Sequence, residues 1–224
     1  MTAATSRRLC RSIAARISRL AQNTSGLALL EFAFTLPILL TMSLTGAELT
    51  NYVTTRMRVS QMALQLADNA ARMGKGTQIT AKSISELDIN DLLTGANLQS
   101  GELDLNGRGR VILSDLEPVA NPNPTNKYKI VWQRCYGGKT AHASKYGKTG
   151  DTGLDGIGPT GQLAVAQPDN ATMFVEVYYE YKPLIGLGSL APSTTMTETA
   201  SMAVRDRRDL SQIYNNENVA KSLC

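Results

Sequence analysis

Glu31 is an acidic residue inside the longest apolar stretch of this 224-residue chain, where four apolar residues precede it. At the centre of a bilayer an acidic side chain costs about 2.5–3.5 kcal/mol on insertion scales, so an ionisable residue at such a position indicates a function. A carboxylate without a role could be replaced by almost any apolar residue. We therefore take Glu31 as the first candidate functional residue.

Other residues with catalytic potential do not form a recognisable active site. His142 is the only histidine, which disfavours a zinc site or a Ser-His-Asp arrangement. Glu176 and Glu180 fall on one face of an expected strand, as the carboxylate pair of a glycosidase could. Tyr178 and Lys182 beside them favour solvent-facing or cross-strand charges instead. The sequence therefore predicts neither an enzyme nor a bound metal or cofactor.

Two Gly-Lys-Thr tripeptides, at residues 138–140 and 147–149, resemble the end of a phosphate-binding loop. That loop requires a glycine five residues before its second glycine, and a helix after it. Gln133 and His142 occupy the positions of the required glycine, and no helix is expected to follow. Nucleotide binding is therefore not predicted.

Positive charge is concentrated at the N-terminus. The chain has 23 Lys and Arg against 19 Asp and Glu. Five arginines and no acidic residue precede Gly26: Arg7, Arg8, Arg11, Arg16 and Arg19. Without them 18 basic residues face 19 acidic ones, so a basic surface for nucleic acid is not predicted. The cluster predicts an N-terminus that stays in the cytoplasm, with a solvated basic tail as the alternative.

Residues 27–47 form an apolar segment of about the 20 residues that a helix needs to cross a bilayer. Only Arg56 and Arg58 follow closely, against five arginines before the segment, so residues 48–224 are expected outside the cytoplasm. Pro37 lies within the segment, and membrane helices tolerate proline with a kink. We therefore predict a transmembrane helix over residues 27–47.

A helical period continues beyond the membrane segment. Apolar or small residues recur there at three- and four-residue steps: Leu49, Val53, Met57, Ser60, Leu64, Ala67 and Ala71. This pattern predicts one helix over residues 28–73, about 70 Å long at about 1.5 Å per residue. Residues 48–74 would be its amphipathic extension, packed against the chain's own domain, against neighbouring copies, or against both.

Residues 75–224 are expected to form an exported α+β domain. A second helix is predicted over residues 80–94, with Ser83 and Glu86 as a capping box and Gly95 at its end. A period of two then predicts strands at residues 111–113, 128–135, 173–181 and 195–204. Tyr128, Ile130 and Trp132 would share one strand face. Residues 137–167 read as an exposed loop too polar for a core, and residues 206–220 as a terminal helix.

The predicted fold class is therefore α+β, with a long N-terminal membrane-spanning helix and an antiparallel sheet packed on helices. Two of the three cysteines, Cys135 and Cys224, fall in the exported part, whereas Cys10 precedes the membrane segment. An oxidising compartment preserves disulfides, and a Cys135–Cys224 bridge would add up to about 4–5 kcal/mol. Two unpaired thiols are the alternative.

The start of the apolar segment resembles the processing region of type IV pilin precursors. There, a basic leader is followed by Gly26, four apolar residues and Glu31. The run EFAFTLP, which contains Phe32 and ends at Pro37, resembles the TadE-like minor pseudopilins of the tight-adherence (Flp) type IVb pilus system. Residues 131–135 and 174–183 also resemble the exported domain of that family.

The resemblance implies a pilin-like fold and cleavage after Gly26 by an aspartate prepilin peptidase at the cytoplasmic face. Cleavage would remove residues 1–26 and free the amine of Leu27. Glu31 would then pair with such an amine in a neighbouring subunit, within an assembly segment that includes Phe32 and Pro37. The implied partners are other pilins and pseudopilins, the prepilin peptidase, the inner-membrane assembly platform and membrane lipid. The implied location is the inner membrane with a periplasmic domain, or a surface pilus.

Two other interpretations remain open. The chain could be an uncleaved, signal-anchored periplasmic scaffold or sensor, and would then begin at Met1. Alternatively, a signal peptidase could cut after the run that ends at Ala47 and release a soluble domain. The three interpretations predict different mature N-termini, namely Leu27, Met1 or the region of residues 47–48.

Overall fold

A computed structural model of the chain describes residue 18 and residues 26–77, 80–186 and 193–224. The chain divides into two compact units, Met1–Leu49 and Thr50–Cys224. Cys10 and the five arginines that precede Gly26 lie outside the described residues. The described part combines a long N-terminal apolar helix with a five-stranded antiparallel sheet, so the predicted α+β class is confirmed.

Helix α1 (Leu27–Arg72) has 46 residues and matches the predicted continuous helix closely. Within the second unit, one of its faces is buried at a helical period: Val59, Met62, Ala63, Leu66, Ala67, Ala70 and Ala71. The predicted stripe does not follow this face throughout, because Val53, Met57 and Leu64 are exposed. Small alanines dominate the buried face, which lets other elements approach the helix closely.

Helix α2 (Glu86–Gln99) begins at a different cap from the predicted one. Ser85 is the N-cap, and it forms a capping box with Asp88 rather than the predicted Ser83–Glu86 pair. Ser83 instead exchanges backbone hydrogen bonds with Lys75 at 2.9 Å. The predicted end at Gly95 is also wrong, because the helix continues to Gln99. A short helix, α3 (Leu105–Arg108), leads into the sheet.

The sheet contains β1 (Gly109–Pro118), β2 (Tyr128–Tyr136), β3 (Thr152–Leu154), β4 (Thr172–Glu180) and β5 (Thr195–Ala203). Its order is β3-β2-β1-β4-β5, and every neighbouring pair is antiparallel. The four strands predicted from the sequence are all present, and β3 was missed. Apolar residues of β1 and β4 join those of α1 and α2 in the main core, which defines a helix-covered face.

A β-bulge in β2 overturns the prediction that Tyr128, Ile130 and Trp132 share a face. Trp132 pairs with Asp115 and Ile130 pairs with Leu116, so Val131 has no partner in this ladder. The extra residue inverts the alternation. Trp132 consequently joins the core of the helix-covered face, whereas Tyr128 and Ile130 join a second cluster on the opposite face.

Residues 137–167 cover that opposite face, which we call the loop-covered face. They supply buried Ile157 and Ala166 to a small core with Leu116, Ile130 and Phe174. The prediction that this segment is too polar to build a core is therefore wrong. Its glycines allow tight turns, because several of them have positive φ, including 123° at Gly147 and 141° at Gly156.

The predicted helix over residues 206–220 is absent, because this segment runs as an irregular strap. Its backbone bonds to the segment before α2, where Asp209 donates to Lys82 at 2.8 Å and Tyr214 donates to Ile84 at 2.9 Å. These hydrogen bonds between distant segments of the chain satisfy main-chain groups that a helix would have satisfied locally. Tertiary pairing thus overrides the local helical pattern.

Candidate functional site

Gly26 is exposed and lies directly before α1, whose first residue is Leu27. A Cβ placed on Gly26 would meet no atom of the described chain within 4 Å. The packing of the described residues therefore does not require glycine at this position. A requirement for glycine here would have to come from a partner that binds the backbone closely.

Glu31 lies four residues after Leu27 on α1, so the two side chains share a helix face. It is the only charged residue between Gly26 and Ala47. The hydroxyls of Thr35 and Thr41 donate to the carbonyls of Phe32 and Ile38 at 3.3 and 2.9 Å. The exposed Glu31 carboxylate makes no hydrogen bond or ion pair with another described residue. The two threonine hydroxyls thus have hydrogen-bond partners within the helix, whereas the Glu31 carboxylate has none among the described residues.

Phe32 and Pro37 complete the predicted assembly segment. The Phe32 ring is exposed, as are the leucines around it. Pro37 lies inside the continuous helix and has no N–H, so the carbonyl of Ala33 lacks the donor that a helix normally supplies. The segment therefore offers apolar surface and one weakened turn.

Among the described residues, α1 is the one helix that is long and apolar enough to cross a membrane. The apolar window on which this rests is entirely unburied within the chain. A signal sequence near an N-terminus meets the same criterion, so a membrane anchor and a signal are both compatible with it.

Cys135 of β2 and Cys224 form a disulfide, with their Cα atoms 4.9 Å apart and 89 residues between them in sequence. Neighbouring hydrogen bonds hold the same strap. The Cys135 N–H donates to the Ser222 carbonyl at 2.7 Å, and the Asn90 amide donates to the Ala220 carbonyl at 2.8 Å. The bridge ties the end of the strap to the sheet, and the Asn90 hydrogen bond ties the strap to α2.

A buried ion pair, which the sequence analysis missed, joins α2 to the sheet. Arg134 of β2 donates through Nε to Glu86 at 2.8 Å and through Nη2 to the second oxygen of the same carboxylate. Glu86 is 1% exposed. The Arg134 guanidinium also lies 5.8 Å from the centre of the Trp132 ring. This bidentate geometry matches the planar fork of arginine and fixes α2 on the sheet.

Two carboxyl groups of β1, Asp115 and Glu117, are also buried on the helix-covered face. Burial and the neighbouring Glu117 carboxylate raise the pKa of Asp115 well above its ordinary value, and nearby Arg208 opposes this only in part. Burial lowers the pKa of Arg208. Its Nη2 donates to the carbonyls of Ala70 and Met73 at 3.0 Å, at the C-terminal end of α1. Asp115, Glu117 and Arg208 line a cavity of about 220 Å³.

Glu176 was expected to face solvent or a cross-strand charge, and this expectation is wrong because the carboxylate is 1% exposed. It accepts hydrogen bonds from the Ser144 hydroxyl at 2.9 Å and the Lys145 N–H at 3.2 Å. His142 Nε2 lies 3.2 Å from its other oxygen, and the imidazole stacks on Tyr178. Glu176 therefore anchors the loop that covers this face.

The predicted site residues fall in two places. Gly26, Leu27, Glu31, Phe32 and Pro37 follow one another along the start of α1, whereas Cys135 and Cys224 meet in the second unit. No group of three or more metal-binding side chains occurs among the described residues. The missed buried charges had a weak sequence signal, namely charged residues inside strands of apolar character such as SDLE and WQRC.

Comparison of the chain with protein-family models, curated proteins and solved structures finds no match.

Proposed function

We propose that this chain is a minor pseudopilin of the TadE-like type in a tight-adherence pilus system, and that it has a pilin-like fold. In this proposal prepilin peptidase cleaves after Gly26, and the mature chain acts through protein–protein contacts in pilus assembly or initiation. The observation that supports it most is the register of α1, which begins at Leu27 directly after Gly26 and places Glu31 one turn later.

The position of Glu31 suits a docking role. Cleavage would create a positively charged amine at Leu27, and Glu31 carries the opposite charge on the same helix face. In an apolar bundle a charge is tolerated when a counter-ion meets it, and leaving one partner alone is strongly destabilising. A subunit whose Glu31 faces the amine of a neighbour would therefore be held at one axial position.

The exposed side chains of residues 27–47 support the proposed environment. Leu29, Phe34 and Met42 are among the exposed residues of this segment. Apolar surface of this extent is stable in lipid or against other apolar helices. Membrane lipid and the helices of other pilins would both cover it, with the second unit in the periplasm.

A second candidate function is that of an uncleaved, membrane-anchored periplasmic scaffold or sensor domain. The length and apolar character of α1 favour it equally, because an anchor needs no processing. It differs from the first proposal in the mature N-terminus and in giving Glu31 no partner amine.

N-terminal sequencing of the membrane-extracted protein tests both candidates, with and without a prepilin peptidase in the cell. We expect a start at Leu27 that requires the peptidase. Gly26→Val should block cleavage, because the side chain obstructs close approach of the backbone. Gly46→Val is the matched control, since a Cβ there also meets nothing within 4 Å. It should be processed normally.

An intact Met1 in both strains would support the anchored scaffold and contradict processing. A start near residue 47 in both strains would instead indicate ordinary secretion. A start at Leu27 that persists without the peptidase would contradict the assignment of the protease.

Glu31 is tested by its entry into the pilus assembly. Glu31→Ala and Glu31→Gln should both be processed, yet should be strongly depleted from assembled pili or from complexes with other pilins. Glu102→Gln removes an exposed carboxylate of the second unit and serves as the control. Normal assembly of the Glu31→Ala protein would exclude the docking role.

A further inference from the structure

Arg110 is a buried cation with no anionic partner among the described residues. It lies in β1 opposite Tyr178, and only 6% of the residue is exposed. Its Nη1 donates to the Gly137 carbonyl at 3.2 Å, whereas its buried Nε has no hydrogen-bond partner. A buried charge without a counter-ion is costly, so this arrangement calls for an acceptor.

Two carboxylates on this side of the sheet, Glu176 and Asp151, have other partners. Glu176 lies on the same face of β4 but already binds Ser144, Lys145 and His142. Asp151 accepts the Lys148 N–H at 2.8 Å. Burial lowers the pKa of Arg110, and no neighbouring carboxylate offsets this effect. The missing acceptor therefore does not come from these side chains.

Arg110 lines a cavity of about 410 Å³ beneath the loop. Ile112, Ala143 and the Cys135–Cys224 disulfide form apolar parts of its wall, and Thr140 adds a hydroxyl. This volume lies within the usual range for small-molecule sites, in which a few polar groups orient a ligand against apolar surface. The cavity thus combines a cation that lacks an ion-pair partner with a wall that is apolar in part.

We propose that this cavity binds a small organic carboxylate with a short apolar body. The carboxylate accepts a hydrogen bond from the part of the Arg110 guanidinium that lines the cavity, and the apolar body lies against Ile112 and the disulfide. Such a charge-assisted hydrogen bond is stronger than a neutral one, and it forms here in a partly dehydrated site. The proposal does not depend on processing or on pilus assembly.

The test uses the full chain in lipid nanodiscs and follows the Arg110 Nε–H signal by NMR. Sodium propionate is added as the probe. Propionamide has the same shape without the charge, and sodium chloride matches the ionic strength. We expect a saturable shift with propionate, no shift with propionamide, and no saturable shift with chloride. Backbone amides of Ile112 and Thr140 should shift in parallel.

Two variants locate the binding site. Arg110→Gln should weaken propionate binding at least about tenfold, as expected when a charged hydrogen bond is lost. Lys145→Gln removes a positive charge from the same loop without touching the cavity wall, and should bind normally. The comparison of propionate with propionamide on the unaltered chain remains decisive even if Arg110→Gln does not fold.

Three outcomes would overturn the proposal. Equal shifts with chloride would indicate a general salt effect, and equal shifts with propionamide would show that charge is not recognised. No saturable shift with propionate at all would show that the cavity does not bind a carboxylate.

Discussion

Helix α1 passes through both units of the chain, and its two parts differ in what covers their side chains. Before Thr50 the apolar side chains are exposed, with Leu39 at 60%. After it, one face is buried in the main core, with Leu66 at 2%. The same backbone geometry therefore carries two kinds of surface.

The two parts of α1 are therefore expected to differ in how much they contribute to the stability of the folded unit. The second part of α1 buries its apolar face within its own chain, which contributes directly to the stability of the globular unit. The first part obtains no such burial from the described residues, and in the proposed function a bilayer or other subunits would supply it. Substitutions in the two parts should accordingly change different measurements.

The largest contrast is expected for charged groups. Arg134→Met leaves Glu86 buried and unpaired, and should lower the free energy of unfolding by about 3–5 kcal/mol. Glu31→Gln should leave it unchanged, because the carboxylate has no partner in the described chain. Denaturation of the full chain in detergent, followed by the fluorescence of the single tryptophan Trp132, measures the globular unit. A neutral Arg134→Met variant would contradict the assigned role of the pair.

The same assay compares two leucines of α1. Leu66→Ala opens a cavity in the core and should destabilise the globular unit by about 2–5 kcal/mol. Leu39→Ala removes the same atoms from an exposed position and should change the unfolding transition by less than about 0.5 kcal/mol. Similar effects at both positions would mean that residues before Thr50 contribute to the core after all.

The disulfide provides a third contrast. Cys224→Ser should lower the free energy of unfolding by about 2–4 kcal/mol, because the bridge restrains a long loop in the unfolded chain. Cys10→Ser removes the cysteine outside this pair, so it is the matched control and should have no effect on this transition. If both variants unfold like the unaltered chain, the strap is held by its hydrogen bonds alone.

The smallest effect concerns pH and Asp115. Its raised pKa means that the folded chain holds a proton that the unfolded chain releases above the ordinary aspartate pKa. Its contribution is therefore complete below that value and declines as pH rises towards the raised pKa. Asp115→Asn keeps a donor for Glu117 but cannot ionise.

We expect the Asp115→Asn variant to lack this decline, so its stability relative to the unaltered chain should improve with rising pH. Denaturation midpoints measured at several pH values give this difference directly. The carboxylates Glu180, Asp206 and Asp209 have lowered pKa values and act in the opposite sense at acidic pH. They are present in both proteins and cancel. Parallel pH profiles would show that Asp115 ionises normally.

Most of the fold could be predicted because its elements carry local periodic patterns. The period of α1 and the alternation of β4 are both legible in the sequence, and the structure reproduces them. The errors arose where one residue changes the geometry or a distant segment intervenes. Val131 inverts the alternation of β2, and backbone pairing with residues 82–85 keeps the strap extended.

The candidate site divides in the same way. Gly26, Leu27 and Glu31 are neighbours in sequence, so their placement on α1 followed from the helical period, while their roles stay predictions. The buried charges could not be predicted from spacing. Glu86 and Arg134 are 48 residues apart, and His142 and Glu176 are 34 apart. Their pairing depends on strand register, which single-sequence patterns do not specify.

The position of the disulfide also constrains when it can form during synthesis of the chain. Strands β4 and β5 lie between Cys135 and Cys224, and synthesis proceeds from the N-terminus. Cys135 can therefore form this bridge only after both strands and Cys224 have been made. A chain interrupted before residue 224 cannot form it, whereas a chain that includes Cys224 can. The bridge is thus a chemical record that synthesis has passed residue 224, which a thiol reagent can read on each molecule.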